Sequence, residues 1–182
     1  MLKKIMSSPL VNVGVRYGAI SAVLCMAFLI SLYYMGKHPF LINPFVDPRI
    51  PVFGSMLFFA LRETRDYHQG GTLYFWQGMI EAFLFTLVCA TLCWAMLLAF
   101  ATLVPTFVTS FVSMALEQTK GFAQGDIQRI GEETFKRSLE ELKQVDRYFM
   151  ASRYFFQSFI ISFFISIIVS VIVRQTPVEP MT

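Results

Sequence analysis

Charge is scarce in this chain: only 15% of its residues are Asp, Glu, Lys or Arg, whereas 55% are hydrophobic and Phe alone occurs 20 times. A water-soluble domain of this size could not cover so large an apolar fraction with polar surface, so the main solvent of the fold is lipid. Cysteine is scarce too. Cys25, Cys89 and Cys93 all lie in apolar stretches, where thiols behave as small hydrophobes, and they imply no disulfide framework. The two histidines, His38 and His68, fall in loops on opposite sides, and Cys89 and Cys93, one helical turn apart, are accompanied by no His or further Cys, so no metal site is expected. Also missing are a phosphate-cradling glycine loop, a nucleophile elbow, a paired-carboxylate site and a zinc motif, and these absences point away from an enzyme and from a cofactor. The net charge of +3 is spread among interleaved acids and bases without a polybasic run, which excludes nucleic acid as the expected partner.

What is present is apolar sequence in long runs. A spanning helix needs about 20 largely apolar residues, and the segments 12–36, 78–104 and 152–174 meet that length. The run within the first segment is too long for a signal-peptide core and reads as a retained signal anchor behind Lys3 and Lys4. A shorter apolar segment, 51–61, covers little more than half of a ~30 Å hydrocarbon core at ~1.5 Å per residue. Phe45 and Val46 extend its apolar end, and Arg62 and Arg65 can snorkel from its other end, so it counts as a short or tilted span over about 46–65. The loop before it carries Pro39, Pro44, Pro48 and Pro51 and is expected to be irregular, with Pro51 in the first turn of the helix.

The polar remainder, about 106–150, is patterned as helix. Pro105 is expected to end or kink the third span, and 106–119 is apolar enough to lie near the membrane surface. A glycine-containing break at 121–125 follows, with Asp126 as N-cap of the next helix. Beyond it Ile130, Phe135, Leu139, Leu142, Val145 and Phe149 recur at three- and four-residue spacing, an amphipathic helix feeding into the last span, with Glu133–Arg137 and Glu140–Gln144 as surface pairs. The expected fold is therefore one all-α membrane domain, 1–182, with four transmembrane helices and a long amphipathic helical insertion between the third and fourth.

An even number of spans puts both termini on one side, with Lys3, Lys4, Arg16, Arg62, Arg65 and Arg174, against Lys37 and Arg49 in the first opposite loop. The positive-inside rule then makes the termini cytoplasmic in a bacterial inner membrane; the long polar loop, equally rich in acids, weighs little in that rule. On the terminus-bearing face, Arg16, Arg62, Arg65, Asp66, Glu81 and Arg174 form a charge cluster. Arg16 and Glu81 lie inside apolar spans at similar depth, so an Arg16–Glu81 pair, or Glu81 with an arginine of the second turn, is the expected structural arrangement; a headgroup, substrate or proton contact is the functional alternative. Small residues recur every four positions at Gly14, Gly18 and Ala22 and again at Ser158, Ser162, Ser166 and Ser170. Such stripes mark close helix packing, with homodimerisation and a serine-lined polar path as the other readings.

The turn after the second span holds Arg62, Arg65 and Asp66, then Gly70 and Gly71, then Phe75 and Gln77 at the opening of the third span. In these residues, and in its hydropathy layout along nearly the whole length, the chain resembles the membrane proteins grouped as domain of unknown function 4199, found mainly in Bacteroidota. The resemblance implies four spans and no known catalytic residues. It also implies a partner, because such proteins are often encoded beside a family 2 glycosyltransferase of the polyprenyl-phosphate type. The expected function is an accessory or scaffold subunit of the inner membrane, in contact with the bilayer and a membrane glycosyltransferase or other membrane protein. The alternative is a small homodimeric carrier for lipid-linked or cationic substrates that uses Arg16 and Glu81.

Overall fold

The computed structural model of the protein describes residues 9–43, 47–120 and 131–176, the Glu132 side chain excepted. Among the described residues three helices are long and apolar enough to cross a membrane: α1 (Pro9–Tyr34), α3 (Phe75–Leu103) and α6 (Arg147–Val173). Between them lie α2 (Arg49–Glu63), α4 (Thr106–Thr119) and α5 (Glu132–Lys143). Lys3, Lys4, Phe45, Val46, the break at 121–125, the Asp126 cap and Ile130 fall outside the described residues.

Helix α3 is central, flanked by α1 on one side and α6 on the other, and α2 closes the arrangement by packing on both flanking helices. Each long helix is apolar around its whole circumference, and small or sulfur-containing residues decide which side turns inward. On α1 these are Gly14, Gly18, Ala22 and Cys25, all buried; on α3 they are Ala82, Cys89, Ala90 and Cys93; on α6 the four serines of the stripe. Phe28, Phe83, Phe156, Phe164 and Ile168 point outward and are exposed, an inside-out distribution that suits lipid rather than water.

The helix ends follow local chemistry. Gln77 Oε1 accepts from the Tyr74 N–H at 3.0 Å and starts α3. Leu103 ends it, and Pro105 then caps α4 as a separate helix, as expected of that proline. Asp146 Oδ1 accepts from the Phe149 N–H at 2.7 Å, so α6 begins with its own cap at Arg147. The amphipathic helix therefore does not feed continuously into the last span: α5 stops at Lys143, and 144–146 separate the two. On α5 the surface ion pair is Arg137–Glu141 at 3.1 Å, rather than Glu133–Arg137. Pro51 sits in the first turn of α2, and five π-helical residues, Thr64–His68, continue that helix without a break.

Candidate functional site

Close approach organises the α1–α3 seam. A Cβ at Gly14 would stand 3.0 Å from the Glu81 carbonyl oxygen, and one at Gly18 only 2.7 Å from that of Phe85. The Gly14/Gly18/Ala22 face therefore belongs to α3, and this disposes of Arg16. A residue two positions from a glycine on either side lies about 200° around the helix, so Arg16 points away from α3 and cannot reach Glu81. It bonds Glu63 of α2 instead, with Nη2 2.6 Å from Oε2, and Tyr17 Oη donates to the same oxygen at 2.9 Å. The expected Arg16–Glu81 pair is thus replaced by an Arg16–Glu63–Tyr17 clamp between α1 and α2, which sequence spacing could have favoured had the glycine stripe been used to orient Arg16.

Glu81 is left alone. It is 0% exposed, and neither carboxylate oxygen has a hydrogen-bond partner; the other buried side-chain atoms without one, among the described residues, are Thr64 Oγ1 and Ser170 Oγ. Thr64, the first residue of the π turn, supplies the hydroxyl next to the Glu81 carboxyl. Ser170 Oγ lies 3.2 Å from where a Cβ of Gly78 would be, one turn before Glu81. Three elements thus gather unpartnered polar atoms at the terminus-bearing end.

Above them sits the charged turn. Asp66 accepts from Arg65 Nε at 2.7 Å and from Arg62 Nε at 3.3 Å, and Arg65 Nη1 reaches the Val173 carbonyl at the end of α6. The Arg65 guanidinium, helped by Arg62, holds the exposed Asp66 carboxyl below the usual carboxylate range. Gly70 and Gly71 take φ of 61° and 87°, the left-handed region in which a Cβ is strained, and Leu73 then exchanges two 2.9 Å backbone hydrogen bonds with Gln175. Phe75 is exposed as the first residue of α3, and Arg174 is exposed just after α6. Arg62, Arg65, Asp66, Gly70, Gly71 and Gln77 thus each shape one turn that binds α2, α3 and α6 together. A family model described as Protein of unknown function (DUF4199) matches residues 16–175, from Arg16 through this turn to Gln175. The chain belongs to the DUF4199 family. No curated protein and no solved structure matches it.

The opposite end of this DUF4199 chain holds a polar clamp that sequence reasoning missed, because Arg49 read only as a loop charge among prolines. Arg49 is buried, its Nε 2.9 and 3.0 Å from the two Asp47 oxygens, Nη1 2.9 Å from Ser158 Oγ and Nη2 3.0 Å from Gln157 Oε1. Its guanidinium lies 4.3 Å from the Tyr154 ring centre. The serine stripe divides its work along α6: Ser158 serves this clamp, Ser162 bonds Thr86 of α3 at 2.7 Å, Ser166 donates to the Ser162 carbonyl, and Ser170 faces Gly78. All four are buried within one chain. The fold also sets Cys25 of α1 beside Cys89 and Cys93 of α3, bringing a third thiol to a pair that looked isolated. The thiols are free, and among the described residues no group of three His, Cys, Asp or Glu is arranged to hold a metal ion.

Proposed function

We propose that this DUF4199 protein is a non-enzymatic accessory or scaffold subunit of the bacterial inner membrane, with α2 as a fourth span and both termini in the cytoplasm. The observation that carries this reading is an interior closed at both ends. Backbone contact at Gly14 and Gly18 seals the α1–α3 seam, Arg16–Glu63–Tyr17 clamps one end and Asp47–Arg49–Ser158 the other. The larger clefts, about 530 Å³ beside Tyr17 and Glu63 and about 540 Å³ beside His38 and Gln118, open outward at the two ends. A closed block with concave ends suits docking better than passage.

The fourth span rests on length and surface. The 15 α-helical residues of α2 rise about 22 Å at ~1.5 Å each, and the π turn lengthens the helix further, toward the ~30 Å of hydrocarbon. Ile50 and Phe59 face outward along it, and at its end Arg62 is exposed and paired with Asp66, in position to snorkel. The partner implied by the family resemblance is a membrane glycosyltransferase of the polyprenyl-phosphate type, with the Arg62–Asp66 turn as a docking face for it. Purification of the full chain from its native host in mild detergent should return such a transferase in stoichiometric amount. Recovery of the chain alone, as monomer or homodimer, overturns the accessory reading.

One observation favours a second reading. The unpartnered Glu81 is what a small homodimeric carrier for lipid-linked or cationic substrates needs, although the carboxylate would work without Arg16, which Glu63 holds. Pumping or exchange by the reconstituted chain alone distinguishes it from a scaffold.

A further inference from the structure

Glu81 poses a charge problem that its surroundings do not solve as drawn. An ionised carboxylate within an apolar helix, without a counter-ion or donor, is among the costliest arrangements a bilayer-embedded fold can hold. Among the described residues at its end of the molecule, Arg16 is engaged with Glu63, Arg62 and Arg65 are engaged with Asp66, and Arg174 is exposed just after α6. Glu63 itself lies close enough to repel a second negative charge. From α1 the titratable neighbours are Arg16 and Tyr17, from α2 and its π turn Glu63 and His68, whereas α6 presents Ser166 and Ser170 to α3. None of these supplies a free positive charge to Glu81.

A metal ion would need both space and further oxygens. The site is tight: a Cβ at Gly14 would stand 3.4 Å from Glu81 Cγ, and the carboxyl is fully enclosed. A proton needs no room. It removes the charge and turns the carboxyl into an O–H donor, and the Thr64 hydroxyl, buried and unpartnered beside it, can accept from that donor just as it can donate to the ionised form. The hydroxyl stands where the helix changes from α to π register, a local widening that recurs at functional sites.

We propose that Glu81 is an intramembrane proton-binding site, with Thr64 Oγ1 accepting from the bound proton and the Glu63–Arg16 pair as its charged gate. In the occupied form the neutral acid donates to Thr64. On release the proton passes to water on the terminus-bearing side, where the Tyr17/Glu63 cleft opens, and the carboxylate left behind stands against the repelling charge of Glu63. The proposal rests on the membrane reading of α3 alone and is independent of whether the protein is a scaffold or a carrier.

Infrared spectroscopy of the full chain in liposomes tests it through the carbonyl stretch of a protonated carboxylic acid. At neutral pH the wild type should show that band, Glu81→Gln should lack it, and Glu63→Gln should keep it. In Glu63→Gln the band should titrate away at lower pH than in the wild type, because the repelling charge is gone. Thr64→Ala should move the band to higher frequency, as an acid O–H loses its acceptor. A wild type without the band at neutral pH, or a band unchanged in Glu81→Gln, overturns the assignment; so does a band erased by Na⁺ at constant pH, which would make a metal cation the ligand. If Glu81→Gln does not fold, the shifts in Glu63→Gln and Thr64→Ala decide the matter. A failed copurification would leave these spectra untouched, and an absent band would leave the accessory reading standing.

Discussion

A glycine matters most where another backbone lies against it, and here two glycines of similar appearance differ completely in this respect. Gly18 has the Phe85 carbonyl 2.7 Å from the site of a Cβ, whereas Gly54 has nothing within 4 Å. Gly18→Val must push α1 and α3 apart and should cost about 1–3 kcal/mol, the usual range for overpacking. Gly54→Ala should be neutral or stabilise by up to about 1 kcal/mol through helix propensity. Thermal unfolding in detergent checks both, and equal effects would contradict the packing described. At this scale the stripes Gly14/Gly18/Ala22 and Ser158/Ser162/Ser166/Ser170 were legible because small residues repeat every four positions. Arg49 was not legible. Its burial depends on Gln157 and Ser158, more than a hundred residues away in the chain and supplied by a helix whose facing could not be known beforehand.

The long helices share extended interfaces, but the loops and helix ends are joined by single polar side chains. His38, in the α1–α2 connection, docks that loop on α4: its Nε2 lies 3.1 Å from the Phe107 carbonyl, its Nδ1 accepts from the Phe40 N–H, and its ring sits 4.7 Å from that of Phe107. Burial lowers the His38 pKa, and the bond to the Phe107 carbonyl only partly offsets this. The ring is therefore neutral when docked, and the unfolded chain binds the extra proton first. The stability this gives is complete above the unfolded value of about 6.5 and declines as pH falls from there toward the folded one. The wild type should accordingly lose thermal stability in detergent as pH drops below about 6.5, and His38→Gln should lose less; parallel curves would rule out His38 as the cause. Helix types and most breaks, including the one at Pro105, could be read from periodicity and proline. The cap at Asp146 could not, because the apolar spacing runs on through it and only the Phe149 hydrogen bond shows where α6 starts.

For the molecule as a whole, the question is whether α2 crosses the bilayer. Met35 follows α1 and Tyr67 lies in the π turn after α2, and both side chains are well exposed, at 71% and 83%. If α2 spans, Met35→Cys and Tyr67→Cys, each placed in a background lacking the three native cysteines, should react with an impermeant maleimide from opposite sides of the membrane. Labelling of both from one side would make α2 a re-entrant helix and put the termini on different sides. The polar cluster of the terminus-bearing end draws Arg16, Glu63, Thr64, Glu81 and Ser170 from four helices, α2 taken with its π turn, and up-and-down packing, with α1 parallel to α3 and α6 antiparallel to it, brings them to that end.

Composition and run length alone determined that the chain is helical and that three of its described helices are long and apolar enough to cross a membrane, because the spanning length of a helix and the cost of bare backbone in hydrocarbon leave few alternatives. The turn around Gly70 and Gly71, together with the hydropathy layout, likewise pointed to the family whose model matches residues 16–175, since the residues of the turn act locally. Only the tertiary structure decided which charges meet. Pairing depends on the rotation of each helix about its axis, which the close approach of Gly14 and Gly18 to α3 settles: it turns Arg16 to Glu63, leaves Glu81 with Thr64, and separates a structural clamp from the buried acid that the sequence had joined to it.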